Sequence, residues 1–284
     1  MDEWHDILPF LLNKQLVWYS QCSLFLNWIS ERYIQQAQWK KKGLVEVTRQ
    51  GDADGVKYLV ERCKADVHAR NEEALRLASI GGHLEVVKYL VEECGADVHA
   101  WNECALGLAS MNGHLEMVRY LVEKCDADLH SLNEQALIRA SSKGHVQIVK
   151  YLVEKGADVH AQNDFALRYA SYNGHLQVVQ LLVEVGANAN TGAMHGAVEN
   201  GHLEVVRYLV EKGGADVHAR DEESLQWACL SGHLEVVHFL VEVGGADVRA
   251  RNRLALRWAS ENGHLEVVRY LVEVGGADMH AREE

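Results

Sequence analysis

Histidine offers the first chemical possibility in this chain, because it occurs sixteen times and in register. His83, His114, His145, His175, His202, His233 and His264 each follow a glycine, and His68, His99, His130, His160, His218 and His280 each close an Ala-Asp-x-His segment. Imidazole suits zinc, but Zn–N bonds are only ~2.0–2.1 Å long. Members of one series lie a whole repeat apart, so an ion cannot be shared along it. The histidines are expected to serve loop corners, with no metal site and no cofactor. Nucleophile chemistry fares no better: the chain has no glycine-rich phosphate loop, Cys-x-x-Cys pair or nucleophile elbow. An active site is normally one convergent cluster, whereas every polar feature here recurs with the repeat. No catalytic residue is expected, and the chain does not read as an enzyme.

Cysteine and charge narrow the class further. Cys63, Cys94 and Cys125 fall one repeat apart, a spacing too wide for disulfides, and six cysteines without a secretory signal suggest a reducing cytoplasmic setting. The formal charge is −13, and residues 1–42 are nearly neutral, so the acidity lies in the repeats. Phosphate backbones call for clustered Lys and Arg, so no nucleic-acid partner is expected. The apolar run "LVWYSQCSLFL" is short and interrupted, so no membrane span is expected either.

What must position all these residues is a repeat. Glycines at 51, 82, 113, 144, 174, 201, 232 and 263 recur at spacings of 31, 31, 31, 30, 27, 31 and 31 residues. Each unit holds two short helical patterns. In Glu73–Ile80, Leu75, Ala78 and Ser79 place small residues where a neighbouring backbone can approach. In Leu84–Glu93, a narrow polar stripe of Glu85, Lys88 and Glu92 leaves the rest of the helix apolar, so that helix must be sandwiched. Such short helices are marginal alone, and stacked units are the remedy. Glycine at the corner supplies the left-handed helix end. A glutamate in the next first turn complements the helix dipole and reaches Lys88, Arg119, Arg207 or Arg269 three residues on.

The segment "GHLEVVKYLVEECGADVHA" resembles the ankyrin repeat, over about residues 42–284. The variant "ALRWASENGHLEVVRYLVE" is similar to the ankyrin arrays of amoeba-infecting giant viruses. The resemblance implies an all-α solenoid of about eight antiparallel helix pairs with projecting fingers. It also implies a protein partner held on the concave face. The family's Thr-Pro-Leu-His stretch is replaced, as in Glu73-Ala74-Leu75-Arg76, and only His195 stands at its histidine position. Segments such as "ADVHARNE" are about three residues short, so the fingers should be stubby.

Specificity should lie where the repeats differ. The variable positions are finger triplets, such as Trp101-Asn102-Glu103, and the residues preceding each Gly-His corner. Trp101, Met111, Leu132, Phe165, Tyr169 and Tyr172 concentrate apolar variety there and are the expected partner-binding residues. Tyr169 could instead pack within its helix, as could Trp227 and Trp258 at equivalent positions. Arg249, Arg251, Arg253 and Arg257 make the last repeat locally basic, which reads first as a solvated edge. The 27-residue spacing has lost most of a finger and carries Gly192 and Gly196, so an irregular junction is expected near 187–197.

Residues 1–42 read as an N-terminal helical cap rich in tryptophan, and 43–284 as the array. The opening faintly resembles an F-box, which would make the chain a substrate-selecting adaptor of a ubiquitin ligase. The last second helix is as apolar as interior ones, exposing Val268 and Leu271, which suggests self-association through the C-terminal repeat. The leading expectation is a non-catalytic scaffold that binds a protein; ligase adaptor and self-assembling structural protein are the alternatives.

Overall fold

The computed structural model describes residues 31–32, 34–190 and 192–273. Within them every element is a helix and there is no strand, so the all-α class read from the sequence holds. The chain divides into two compact units, Met1–Asp97 and Val98–Glu284.

Among the described residues the first unit contains two helix pairs. Residues 34–49 are helical, with Gly43 at a left-handed φ of 78° within them, and turn into Ala53–Cys63. Asp52 caps the second helix: Oδ1 accepts the Gly55 N–H at 2.9 Å, and Oδ2 accepts the buried Trp39 Nε1–H at 2.6 Å. Gly55 is needed because a Cβ there would lie 2.6 Å from the Trp39 ring. The other three tryptophans of the expected cap, Trp4, Trp18 and Trp28, lie outside the described residues. Ala69–Gly81 and Leu84–Lys88 make the next pair, the latter continuing through a π-helical turn at Tyr89–Glu93.

Six pairs make up the second unit. They are Ala100–Met111 with Leu115–Lys124, Gln135–Ser142 with Val146–Glu154, and Ala161–Tyr172 with Leu176–Glu184. Ala193–Glu199 with Leu203–Glu211, Ala219–Ser231 with Leu234–Glu242, and Ala250–Glu261 with Leu265–Glu273 follow. One residue of the difference in repeat spacing has a local cause. In units of 31 residues the chain leaves the second helix through a bond to the carbonyl six residues back, as Ala127 N to Leu121 O and Ala246 N to Leu240 O. Where the unit is shorter the bond spans five, as Ala157 N to Leu152 O and Ala187 N to Leu182 O.

The core is the same layer repeated. Second helices bury Ile148, Val149 and Leu152, then Val178, Val179 and Leu182, then Val205, Val206 and Leu209, while first helices offer fully buried Ala109, Ala140, Ala170 and Ala197. Burial of each Leu or Val contributes about 1.5–3 kcal/mol. The sandwiching is less complete than the apolar pattern implies: Leu84, Tyr89 and Val91 are half-buried, because they flank the polar stripe. Leu271 corrects a second expectation, being fully buried, while Leu265 is the residue left 73% exposed. Leu271 occupies the register of Leu209 and Leu240, which are fully buried, whereas Leu265, six residues earlier, lies on another side of the helix. The expected Glu204–Arg207 pair also does not form. Arg207 reaches Glu211 at 3.6 Å and lies over the Phe239 ring instead.

In the second unit the Gly-His corners from Gly113 to Gly232 are each completed by the following repeat, while a Cβ on Gly263 would meet nothing within 4 Å. Nε2 of His145 donates to Met111 O, that of His202 to Tyr172 O and that of His233 to Glu199 O, at 2.9–3.0 Å. The ring lies flat against the preceding repeat's glycine, so a Cβ on Gly201 would come within 2.5 Å of His233 Nδ1. The glycine therefore answers two demands, a left-handed backbone and room for an imidazole.

Candidate functional site

The fingers are built from a backbone conformation that side chains ordinarily avoid. Three consecutive residues in each, such as Trp101-Asn102-Glu103 and Leu132-Asn133-Glu134, have φ between 50° and 67°. A left-handed residue costs roughly 1–2 kcal/mol, least for Asn and Asp, which explains why the middle position is Asn71, Asn102, Asn133, Asn163 or Asp221. The third residue ties the turn down. Glu72, Glu103, Glu134, Asp164 and Glu222 are all buried. Each accepts a hydrogen bond from the Nδ1–H of the histidine four residues before it, at 2.5–2.9 Å. Glu134 Oε1 also accepts the Asp158 N–H at 3.0 Å, and Asp164 Oδ1 the Asn188 N–H at 3.2 Å, so one finger carboxylate stitches to the next loop. The finger triplets are thus not three variable positions. The first two residues face outward, the second being Asn or Asp at each finger, and the third is buried and structural. The signal was present in the recurring acid four residues after each His.

These pairs make stability depend on pH. The Glu72, Glu134 and Glu222 carboxylates hold the His68, His130 and His218 imidazoles above their ordinary range, first through the hydrogen bond and then through charge, against a small opposing effect of burial. A raised native pKa gives stability that is fully present below the unfolded value, near 6.5, and lost as pH rises through the native value. The thermal midpoint should therefore fall as pH is raised from about 6 through the neutral range. Scanning calorimetry of the chain with His68, His130 and His218 all changed to Gln should show a flatter slope over that range. An unchanged slope would remove these pairs as its source.

The six expected docking residues fall into two groups and one outlier. Trp101 is 57% exposed, Leu132 51%, Tyr172 47%, Tyr169 41% and Met111 37%, while Phe165 is half-buried. Trp101 and Leu132 line one cleft of about 400 Å³ with Gly107 and Arg139. Phe165, Tyr169 and Tyr172 line a second, of about 200 Å³, with Arg168, His195 and Glu199. Met111 lines neither; its backbone carbonyl serves His145. Tyr169 stands out from its helix and meets Phe165 edge-on at 5.3 Å, with the Arg168 guanidinium 4.7 Å from the Phe165 centroid.

The short repeat opens beside this second cleft. A wider hollow of about 660 Å³, lined by Asn163, Arg168, Asn190, His195, Arg220 and Trp227, occupies the place of the lost finger. Its loops are bonded together: Asn190 Oδ1 accepts the Asp216 N–H at 2.9 Å. Gly196 gives close approach, since a Cβ there would lie 3.1 Å from Tyr172 Cβ. With no side chain at 196, the aromatic row of Tyr169, Trp227 and Trp258 has a gap. His195 packs edge-on to Trp227 at 4.7 Å, and Trp227 lies 5.9 Å from Trp258. Arg168 and His195 hold the same, variable place six residues before the corner glycine; the sequence marked His195 only as the family's histidine position and Trp227 only as helix packing, so none of the three was expected to line a site.

Among the described residues no group of three His, Cys, Asp or Glu side chains is placed to hold a metal ion, and no helix is long and apolar enough to cross a membrane. None of the five described cysteines is in a disulfide; burial of Cys229 pushes its thiol up to about 12. A family model described as ankyrin repeats (3 copies) matches residues 15–102, 94–163, 160–221 and 194–283. No curated protein matches the chain.

Proposed function

Because the chain belongs to the ankyrin repeat family, whose arrays serve as interaction scaffolds, we propose that it is a non-catalytic scaffold that docks a partner protein on the side formed by its fingers and first helices. One observation carries this reading. Trp101 and Leu132, a bulky aromatic and a branched aliphatic residue, are held outward at left-handed φ, exposed, and open onto one cleft. Strain of this kind persists only where the surroundings over-determine it, and it clusters at functional positions. Aromatic anchors in pockets are also the usual centres of interface energy. Tyr169 and Tyr172 extend the face, and Met111 and Phe165 frame it. The test is a pull-down from eukaryotic cytosol with the full chain and with Trp101→Ala combined with Tyr172→Ala. A protein retained by the first and released at least tenfold by the second supports the face. Equal retention by both places function elsewhere.

Two further readings have their own supports. The F-box likeness of residues 1–42 supports a ligase adaptor, which predicts ligase subunits captured by the full chain and lost on deleting residues 1–30. The exposed Leu265 supports self-association, which predicts a concentration-dependent mass by light scattering that Leu265→Glu abolishes. The likeness of one repeat to giant-virus arrays supports a viral origin and an intracellular site of action.

A further inference from the structure

The arginines of the second unit are not alike. Arg119, Arg207 and Arg220 each reach a carboxylate of their own helix or finger, Glu116, Glu211 and Glu223, at 3.3–3.8 Å. Arg139 and Arg168 do not: among the described residues no carboxylate oxygen lies within ion-pair distance of either guanidinium. Both are half-buried and both line the docking clefts, Arg139 beside Trp101 and Leu132, Arg168 beside Tyr169 and Tyr172. A glycine clears the space for each. A Cβ on Gly107 would lie 3.2 Å from Arg139 Nη1, and one on Gly192 would lie 3.3 Å from Arg168 Nε. Asp128 and Glu199 line the same clefts without reaching the guanidinium groups, and Glu199 turns to His195 at 3.8 Å.

With 41 acidic residues against 28 basic ones, acidic partners are plentiful in this chain. Two guanidinium groups that keep five donors each without one, on one face and flanked by apolar clefts, present the complement of a carboxylate. Guanidinium–carboxylate contacts are short, often bidentate and selective. The overall negative charge opposes a distant acidic molecule, but that field is screened within about 10 Å at ordinary salt. At contact the local groups decide. A lysine-bearing segment would meet two like charges here.

Resting on the docking face described above, we propose that its occupant is an extended acidic–apolar segment of a partner. Carboxylates of that segment pair with Arg139 and Arg168. Its apolar side chains enter the Trp101–Leu132 cleft and lie on Tyr169 and Tyr172.

Three degenerate 12-residue peptide pools, identical except for Glu, Gln or Lys fixed at alternate positions, test this by fluorescence polarisation with the full chain. The Glu pool should bind at least tenfold more tightly than the Gln pool, and the Lys pool weakest. Arg139→Gln with Arg168→Gln should erase the preference for Glu, while the corresponding Lys substitutions restore part of it. Both side chains are half-exposed, and an unchanged urea midpoint would show that the variants fold. Equal binding of the Glu and Gln pools, or a preference for Lys, overturns the acidic occupant. The docking face itself would still stand if that binding were lost in Trp101→Ala with Tyr172→Ala. Glu-pool binding that survives those two substitutions, or no binding by any pool, overturns both.

Discussion

Replacing Gly201 by alanine should lower the unfolding free energy of the array by about 2–3 kcal/mol, measured by urea titration. Two costs combine. Alanine at the φ of +72° carries roughly 1–2 kcal/mol of left-handed strain. Its methyl would also sit 2.5 Å from His233 Nδ1, so the imidazole must leave the corner and give up its bond to Glu199 O. Loss of that bond adds about 1 kcal/mol. Gly214 separates the two terms, because its φ is +69° and a Cβ there meets nothing within 4 Å. Gly214→Ala should cost only the strain. If the two alanine variants destabilise equally, the ring's contact with glycine contributes nothing. Removing the ring first, with His233→Ala, should shrink the further cost of Gly201→Ala towards that of Gly214→Ala.

The second large effect is expected at Glu134. Its carboxylate is 3% exposed, and Oε1 accepts from both His130 Nδ1 and Asp158 N. Glu134→Ala leaves both donors without their acceptor and frees a turn made of three left-handed residues. Hydrogen bonds to a charged group contribute about 1.5–3 kcal/mol, so a loss of about 2–4 kcal/mol is expected by the same titration. Glu134→Gln keeps one carbonyl oxygen in place and should cost less than half as much. Similar losses for Gln and Ala would mean that charge, rather than the acceptor atom, holds the finger. Because Leu132 is aimed by this turn, Glu134→Ala should also weaken partner capture through the Trp101–Leu132 cleft.

The helix pairs were legible because their cause is local. A small-residue first helix, a Val-Val-x-x-Leu second helix and a glycine corner recur often enough that periodicity alone places them. The exposed residues Trp101, Leu132 and Tyr172 were legible too, as departures from the pattern. What escaped is what depends on contacts between repeats. That His233 covers the preceding glycine is a relation across 32 positions, and nothing in either repeat alone displays it. Glu72 and its equivalents looked like finger decoration because a charged residue in a polar loop is normally solvated. Their burial follows only once three left-handed residues turn the third side chain inward. Arg139 and Arg168 occupy different positions within adjacent repeats, so comparing like with like could not join them. Their shared lack of a carboxylate is a property of distance, not of order along the chain.

The glycine corners give the array a direction. The corners from Gly113 to Gly232 are each made by one repeat but closed by a ring that the next repeat supplies. A ribosome emitting this chain would produce a repeat whose corner stays open until about thirty more residues have emerged. Cutting between interior repeats would likewise be unequal in its effects: the piece before the cut loses the lid of its last corner, while the piece after it loses no lid and carries one idle imidazole. Whole-repeat duplication or loss preserves this arrangement at every junction, which makes the repeat, rather than the residue, the natural unit in which such a chain changes length.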